Sequence, residues 1–132
     1  MRKGVGGKDV EMLDSGLILR AAVAGTVLQL ILAIAGHFSP WVALHLFMFG
    51  RMMCSATAGY LYGLWFGRGY AVGALGGAIA GGLCVVPPLA LSVLLGDSPA
   101  AMVSIGTGIS ILTGGVGGVF GQIGAFFGKL GR

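Results

Sequence analysis

Negative charge is scarce in this chain. Only four of its 132 residues are acidic, Asp9, Glu11, Asp14 and Asp97, and none falls inside a long apolar run. A carboxylate relay of the kind that carries protons through a membrane is therefore not expected. Charged residues of both signs make up 9% of the chain, against about 25% in soluble globular domains, so an ordinary water-facing surface is excluded. The two cysteines, Cys54 and Cys84, both sit in apolar stretches. They imply no disulfide framework, since buried thiols behave as small apolar groups. No run of basic residues is longer than Arg2-Lys3, which argues against nucleic acid as a partner. No HExxH, GxSxG, CxxC or phosphate-loop pattern occurs, so neither an enzyme nor a bound metal or cofactor is expected.

What is present is apolar surface and glycine. Hydrophobic residues make up 56% of the chain, and 27 residues are glycine, about three times the usual share and without the Gly-X-Y period of collagen. The expected fold is an all-α membrane protein, an antiparallel bundle of four transmembrane helices packed through glycine. Spans are expected at about residues 17–36, 40–66, 70–95 and 100–127, within a membrane domain of residues 17–128. At 1.5 Å per residue each is long enough to cross a hydrocarbon core of about 30 Å. A tail of residues 1–16 precedes them and a basic end of residues 129–132 follows. Asp14 or Ser15 is placed to cap the first helix. Ala33-Ile34-Ala35 resembles a leader-peptide cleavage site, but the long apolar stretch and the acids before it do not match a leader.

The connections are short. His37-Phe38-Ser39-Pro40, Gly67-Arg68-Gly69 and Gly96-Asp97-Ser98-Pro99 are expected turns, and short turns set neighbouring helices antiparallel. Arg2, Lys3, Lys8, Arg20, Arg68, Lys129 and Arg132 then fall on one side, with Asp97 and His37 on the other. That asymmetry puts both ends of the chain in the cytoplasm, and the setting expected is a bacterial inner membrane. Trp41, Trp65, Tyr60, Tyr62 and Tyr70 are read as interfacial aromatics. His37 and His45 also lie near an interface, where a ligand role is not expected.

Helices in lipid associate where small residues let backbones approach. Gly59 and Gly63 recur at four-residue spacing in the second span, Gly69, Gly73, Gly77 and Gly81 in the third, and Gly114 with Gly118 in the fourth. Residues four apart share a helical face, so each set is read as a packing stripe.

Arg51 is the basic residue that falls in the middle of a span rather than at its end. An intramembrane arginine is costly and should face the bundle interior. Counted from Ala43 at 1.5 Å per residue it lies about 12 Å deep. Gln29, Ser55, Thr107 and Ser110 come out at comparable depth, as do Pro87 and Pro88, which interrupt the third span and deprive the carbonyls of Leu83 and Cys84 of their helical donors. These residues form the expected polar layer, with Arg51 donating to Gln29, hydroxyls and freed carbonyls, or else holding an anion, a lipid headgroup or an acidic partner. The role expected is that of a structural or accessory component of a membrane complex, in contact with lipid and with other subunits or further copies of itself. The alternative is a small oligomeric channel or carrier for an anion or small polar solute.

Overall fold

A computed structural model describes residues 13–97 and 99–131. Most of the expected N-terminal tail, together with Ser98 and Arg132, lies outside the described residues. Those described form five helices: α1 (Ser15–Phe38), α2 (Pro40–His45), α3 (Phe47–Phe66), α4 (Tyr70–Leu94) and α5 (Ala101–Leu130). Three of them, α1, α4 and α5, are long and apolar enough to cross a membrane. Helix α3 has 20 residues, enough for about 30 Å. Arg51, Ser55, Thr57 and its glycines hold its hydropathy below that of the other three.

Local chemistry sets the ends. Asp14 begins α1, its carboxylate accepting from the amides of Gly16 at 2.9 Å and Leu17 at 3.2 Å, which satisfies donors a helix start leaves free. Ser39 separates α1 from α2, and Pro40 takes the first helical position, where its missing N–H costs nothing. Leu46 divides the expected second span into α2 and α3 with a backbone still in the right-handed region, φ −105° and ψ −18°. Helix α3 ends at Gly67, whose left-handed φ of 57° would be unfavourable for a residue with a Cβ. Helix α4 does not break at Pro87 and Pro88 but runs through both. A carbonyl left without its amide four residues on can be satisfied from a neighbouring helix, and here the Thr26 hydroxyl of α1 donates to the Cys84 carbonyl at 3.3 Å.

The helices pack with their usual chemistry inverted. Fully or nearly fully buried are alanines, glycines, the polar side chains Gln29, Ser55, Ser92, Ser110 and Gln122, and a few larger residues, among them Tyr62, Val85 and Leu89. Large apolar side chains point outward, with Leu94 84% and Leu112 72% exposed. Exposed apolar patches of this extent mark a surface that another apolar phase covers. The arrangement is consistent with a multi-pass membrane protein.

Backbones approach closest along α5. A Cβ added to Gly59 of α3 or Gly63 of α3 would collide with the carbonyls of Gly114 and Gly118 respectively. On the α4 side, a Cβ at Gly77 would lie 2.5 Å from the Gly114 carbonyl, and one at Gly81 2.6 Å from the Ser110 carbonyl. Gly73 lies against Gln122 and Gly118. Gly69 differs from the stripe expected for it: a Cβ there would meet nothing within 4 Å. It sits in the α3–α4 turn with φ 150°, and its amide donates to Gln122 at 3.2 Å.

Tyr62 is likewise no interfacial residue. Its ring is fully buried against Gly76 and stacks on Phe66 at 5.5 Å. Gly76 supplies the space by having no side chain.

The two ends of the packed helices differ in charge. At one, Lys129 donates to the Gly67 carbonyl at 3.1 Å, and exposed Arg68 lies in the adjacent turn. At the other, the His37 ring meets Asp97 at 2.9 Å. Both partners of that pair are more than a third exposed, so the contact adds about 1 kcal/mol at most.

Candidate functional site: the Arg51 cavity

The expected polar layer divides into two separate clusters. In the deeper one, the Gln29 amide donates to the Ser55 hydroxyl at 3.0 Å and to the Cys84 sulfur at 3.3 Å. Cys84 in turn donates to the Gly81 carbonyl at 3.2 Å. This knot joins α1, α3 and α4 where Gly25 brings α1 close to Ala58 and Cys84. The Gln29 Oε1 is sealed in with no hydrogen-bond partner among the described residues.

Arg51 belongs to the other cluster. Helical side chains lean toward the N-terminus of their own helix, over the turn before them. The guanidinium accordingly lies above the Phe47 ring, 4.1 Å from its centroid, a distance suited to a cation–π contact. Its Nη2 donates to the Ser92 hydroxyl at 3.2 Å, and Ser92 donates to the Pro88 carbonyl at 3.0 Å. This corrects the expected bond to Gln29 and to the carbonyls freed by the prolines. The lean carries the charge away from Gln29 and toward the α4–α5 turn, so that it lies shallower than its Cα position suggests. Ser92 is two residues inside the end of α4 at Leu94, about 3 Å along the axis.

Beside the guanidinium is a half-open cavity of about 250 Å³ between α3, α4 and α5. Its lining is largely apolar, with Phe47, Met48 and Met52 from α3, Val85 from α4, and Met102, Ile105 and Ile109 from α5. Arg51, Ser110 and Asp97 supply the polar part. No carboxylate of the described residues comes within 4 Å of the guanidinium, and Asp97 is engaged by His37. Nε is sealed from solvent with no hydrogen-bond partner among the described residues, and Nη1 makes no hydrogen bond to a described residue.

Of the remaining candidates, Ser110 shares the Arg51 cavity and the others fall elsewhere. Thr107 turns its hydroxyl back to the Val103 carbonyl of its own helix at 2.7 Å. Ser110 is buried at the cavity floor. Pro88 is buried and Pro87 exposed. His45 stacks on Trp41 and contacts its carbonyl at 3.1 Å. Among the described residues no three His, Cys, Asp or Glu side chains gather as a metal site would require.

Sequence reasoning missed Ser92 and Gln122. Ser92 was hidden in the apolar end of α4, though it is the only serine or threonine of that helix. Gln122 stands alone between glycines in GVFGQIG, a signal of the same kind as Gln29. Its amide donates to the Gly63 carbonyl at 2.9 Å and its oxygen accepts from Gly69, which ties the α3–α4 turn to α5.

No family model matches the chain, and neither a curated protein nor a solved structure matches it.

Proposed function

We propose that this is an integral membrane protein whose helices α1, α2–α3, α4 and α5 form four membrane passes, glycine-packed, with the Lys129 end facing the cytoplasm of a bacterial cell. In that setting it serves as a structural or accessory component of a membrane complex. The observation that carries the reading is the inverted packing: mostly small and polar residues inside, and most bulky apolar residues outside. A surface of this kind is suited to lipid and to the apolar helices of other subunits.

The alternative, a channel or carrier for an anion, is favoured by one feature, the Arg51 cation without a carboxylate of the described residues within 4 Å. Against it stand the glycine layers beyond the cavity. There the backbones of α3 and α4 both lie against α5 at Gly59, Gly63, Gly77 and Gly81, which leaves no room between those helices for a solute. A conduit would have to form between copies of the chain.

Purification of the tagged protein in a mild detergent separates the two readings. Co-purification of a different polypeptide in fixed ratio is the expected result. A homo-oligomer that conducts chloride after reconstitution into liposomes would replace the accessory role with the channel.

A further inference from the structure

We propose that the Arg51 cavity is a binding site for one anionic phospholipid, with the phosphate on the guanidinium and an acyl chain along the apolar wall. The inference rests on the membrane reading above and goes beyond it by assigning the cavity an occupant.

Three observations lead to a lipid. The first is the level of the charge: its contact with Ser92 near the end of α4 and the approach of the cavity to Asp97 and Pro99 put the guanidinium close to the end of the helices. In a membrane-inserted chain that is where headgroups lie. The second is the composition of the cavity, a polar end with Arg51 and the His37-paired Asp97 beside an apolar wall of Met48, Met102, Ile105 and Ile109, which is the polarity pattern of an amphiphile. The third is size. A volume of about 250 Å³ falls just short of the ~300 to 1,000 Å³ of pockets that enclose a small molecule. The cavity is therefore sized for one end of a longer ligand whose remainder would stay in the bilayer.

Charge complementarity supports the phosphate. Arginine presents a planar fork of donors matched to phosphate oxygens. Here Ser92 uses Nη2, no carboxylate of the described residues is within 4 Å, and Nη1 makes no hydrogen bond to a described residue. Phe47 under the guanidinium and Ser92 beside it fix the orientation, so little side-chain freedom remains to be lost on binding.

The test is native mass spectrometry of the full chain released from dodecylmaltoside micelles, titrated with phosphatidylglycerol, with phosphatidylcholine, and with inorganic phosphate as a competitor. Wild type is expected to retain one phosphatidylglycerol per chain in preference to phosphatidylcholine, without displacement by inorganic phosphate. Arg51→Gln should weaken retention about tenfold or more, the scale of one lost charge-assisted contact, and Arg51→Lys by less. Arg20→Gln, which removes an equal charge from an exposed position on α1, should leave retention unchanged. Ile105→Trp fills the mouth from a side chain that is already 56% exposed. It should reduce retention without disturbing the fold, and so decides the matter if Arg51→Gln fails to fold. Equal loss in Arg20→Gln and Arg51→Gln would overturn the site, as would full retention by Ile105→Trp. Displacement by inorganic phosphate would make it a free-anion site. A chain that is helical and monomeric without detergent would remove the membrane reading itself, an outcome distinct from an inserted chain with no lipid preference.

Discussion

At the scale of single residues, several polar groups inside this protein are paired across helices, and Thr26 is the clearest case. Its hydroxyl donates to the Cys84 carbonyl, which Pro88 leaves without the amide donor a regular helix would provide. Thr26→Val keeps the shape and removes the donor. The expected loss is about 0.5 to 2 kcal/mol, the range for side-chain hydrogen bonds among membrane helices. With Pro88→Ala in place the carbonyl regains an amide from its own helix, so the cost of Thr26→Val should fall toward zero. Reversible unfolding of the two single variants and the double variant gives the coupling. Additive effects would mean that the Thr26 hydroxyl does not compensate the proline.

Some of this was legible in the sequence and some was not. Arg51, Gln29, Ser55 and Ser110 could be recognised as interior residues because a polar side chain in an apolar run has few other places to go. Their partners could not be read off, because depth counted along the axis ignores side-chain length and lean. Arginine reaches about a full helical turn toward its own N-terminus, which took the guanidinium from the level of Gln29 to that of Ser92. Tyr62 was misassigned for a related reason. An aromatic at a span end is ordinarily interfacial, and only the facing Gly76 on another helix makes room to bury it.

At the scale of elements, glycine decides which faces meet. Gly114 and Gly118 of α5 face both α3 and α4, so the same two positions set two helix contacts. Gly77→Leu would force a side chain against the Gly114 carbonyl and Gly118. In a core that cannot expand, overpacking costs about 1 to 3 kcal/mol, and more where the obstacle is backbone. Leu75→Ala, at a position 47% exposed, should change stability by well under that amount. Thermal unfolding of both variants in the same detergent checks the comparison, and equal midpoints would place Gly77 away from any contact. The four-residue spacing could not distinguish a packing glycine from a turn glycine. Gly69 continues the period of Gly73, Gly77 and Gly81 by number only, since the chain has already left the helix there. Continuity through Pro87 and Pro88 was equally invisible, because the hydroxyl that accommodates the prolines is contributed by α1.

At the scale of the whole molecule, the segregation of charge is the feature that ties fold to setting. Arg68 and Lys129 mark one end, His37 and Asp97 the other. If the chain crosses the membrane four times with the basic end inside, residues on the α4–α5 turn and residues after α5 must lie on opposite sides. Ala100 and Gly131 are exposed at those two places. The deciding measurement is thiol labelling in intact cells, with Cys54→Ala and Cys84→Ser removing the native thiols and Ala100→Cys or Gly131→Cys supplying a new one. An impermeant maleimide should label Ala100→Cys in intact cells, and Gly131→Cys only after the membrane is opened. Labelling of both in intact cells, or of Gly131→Cys alone, would contradict the four-pass arrangement and its orientation.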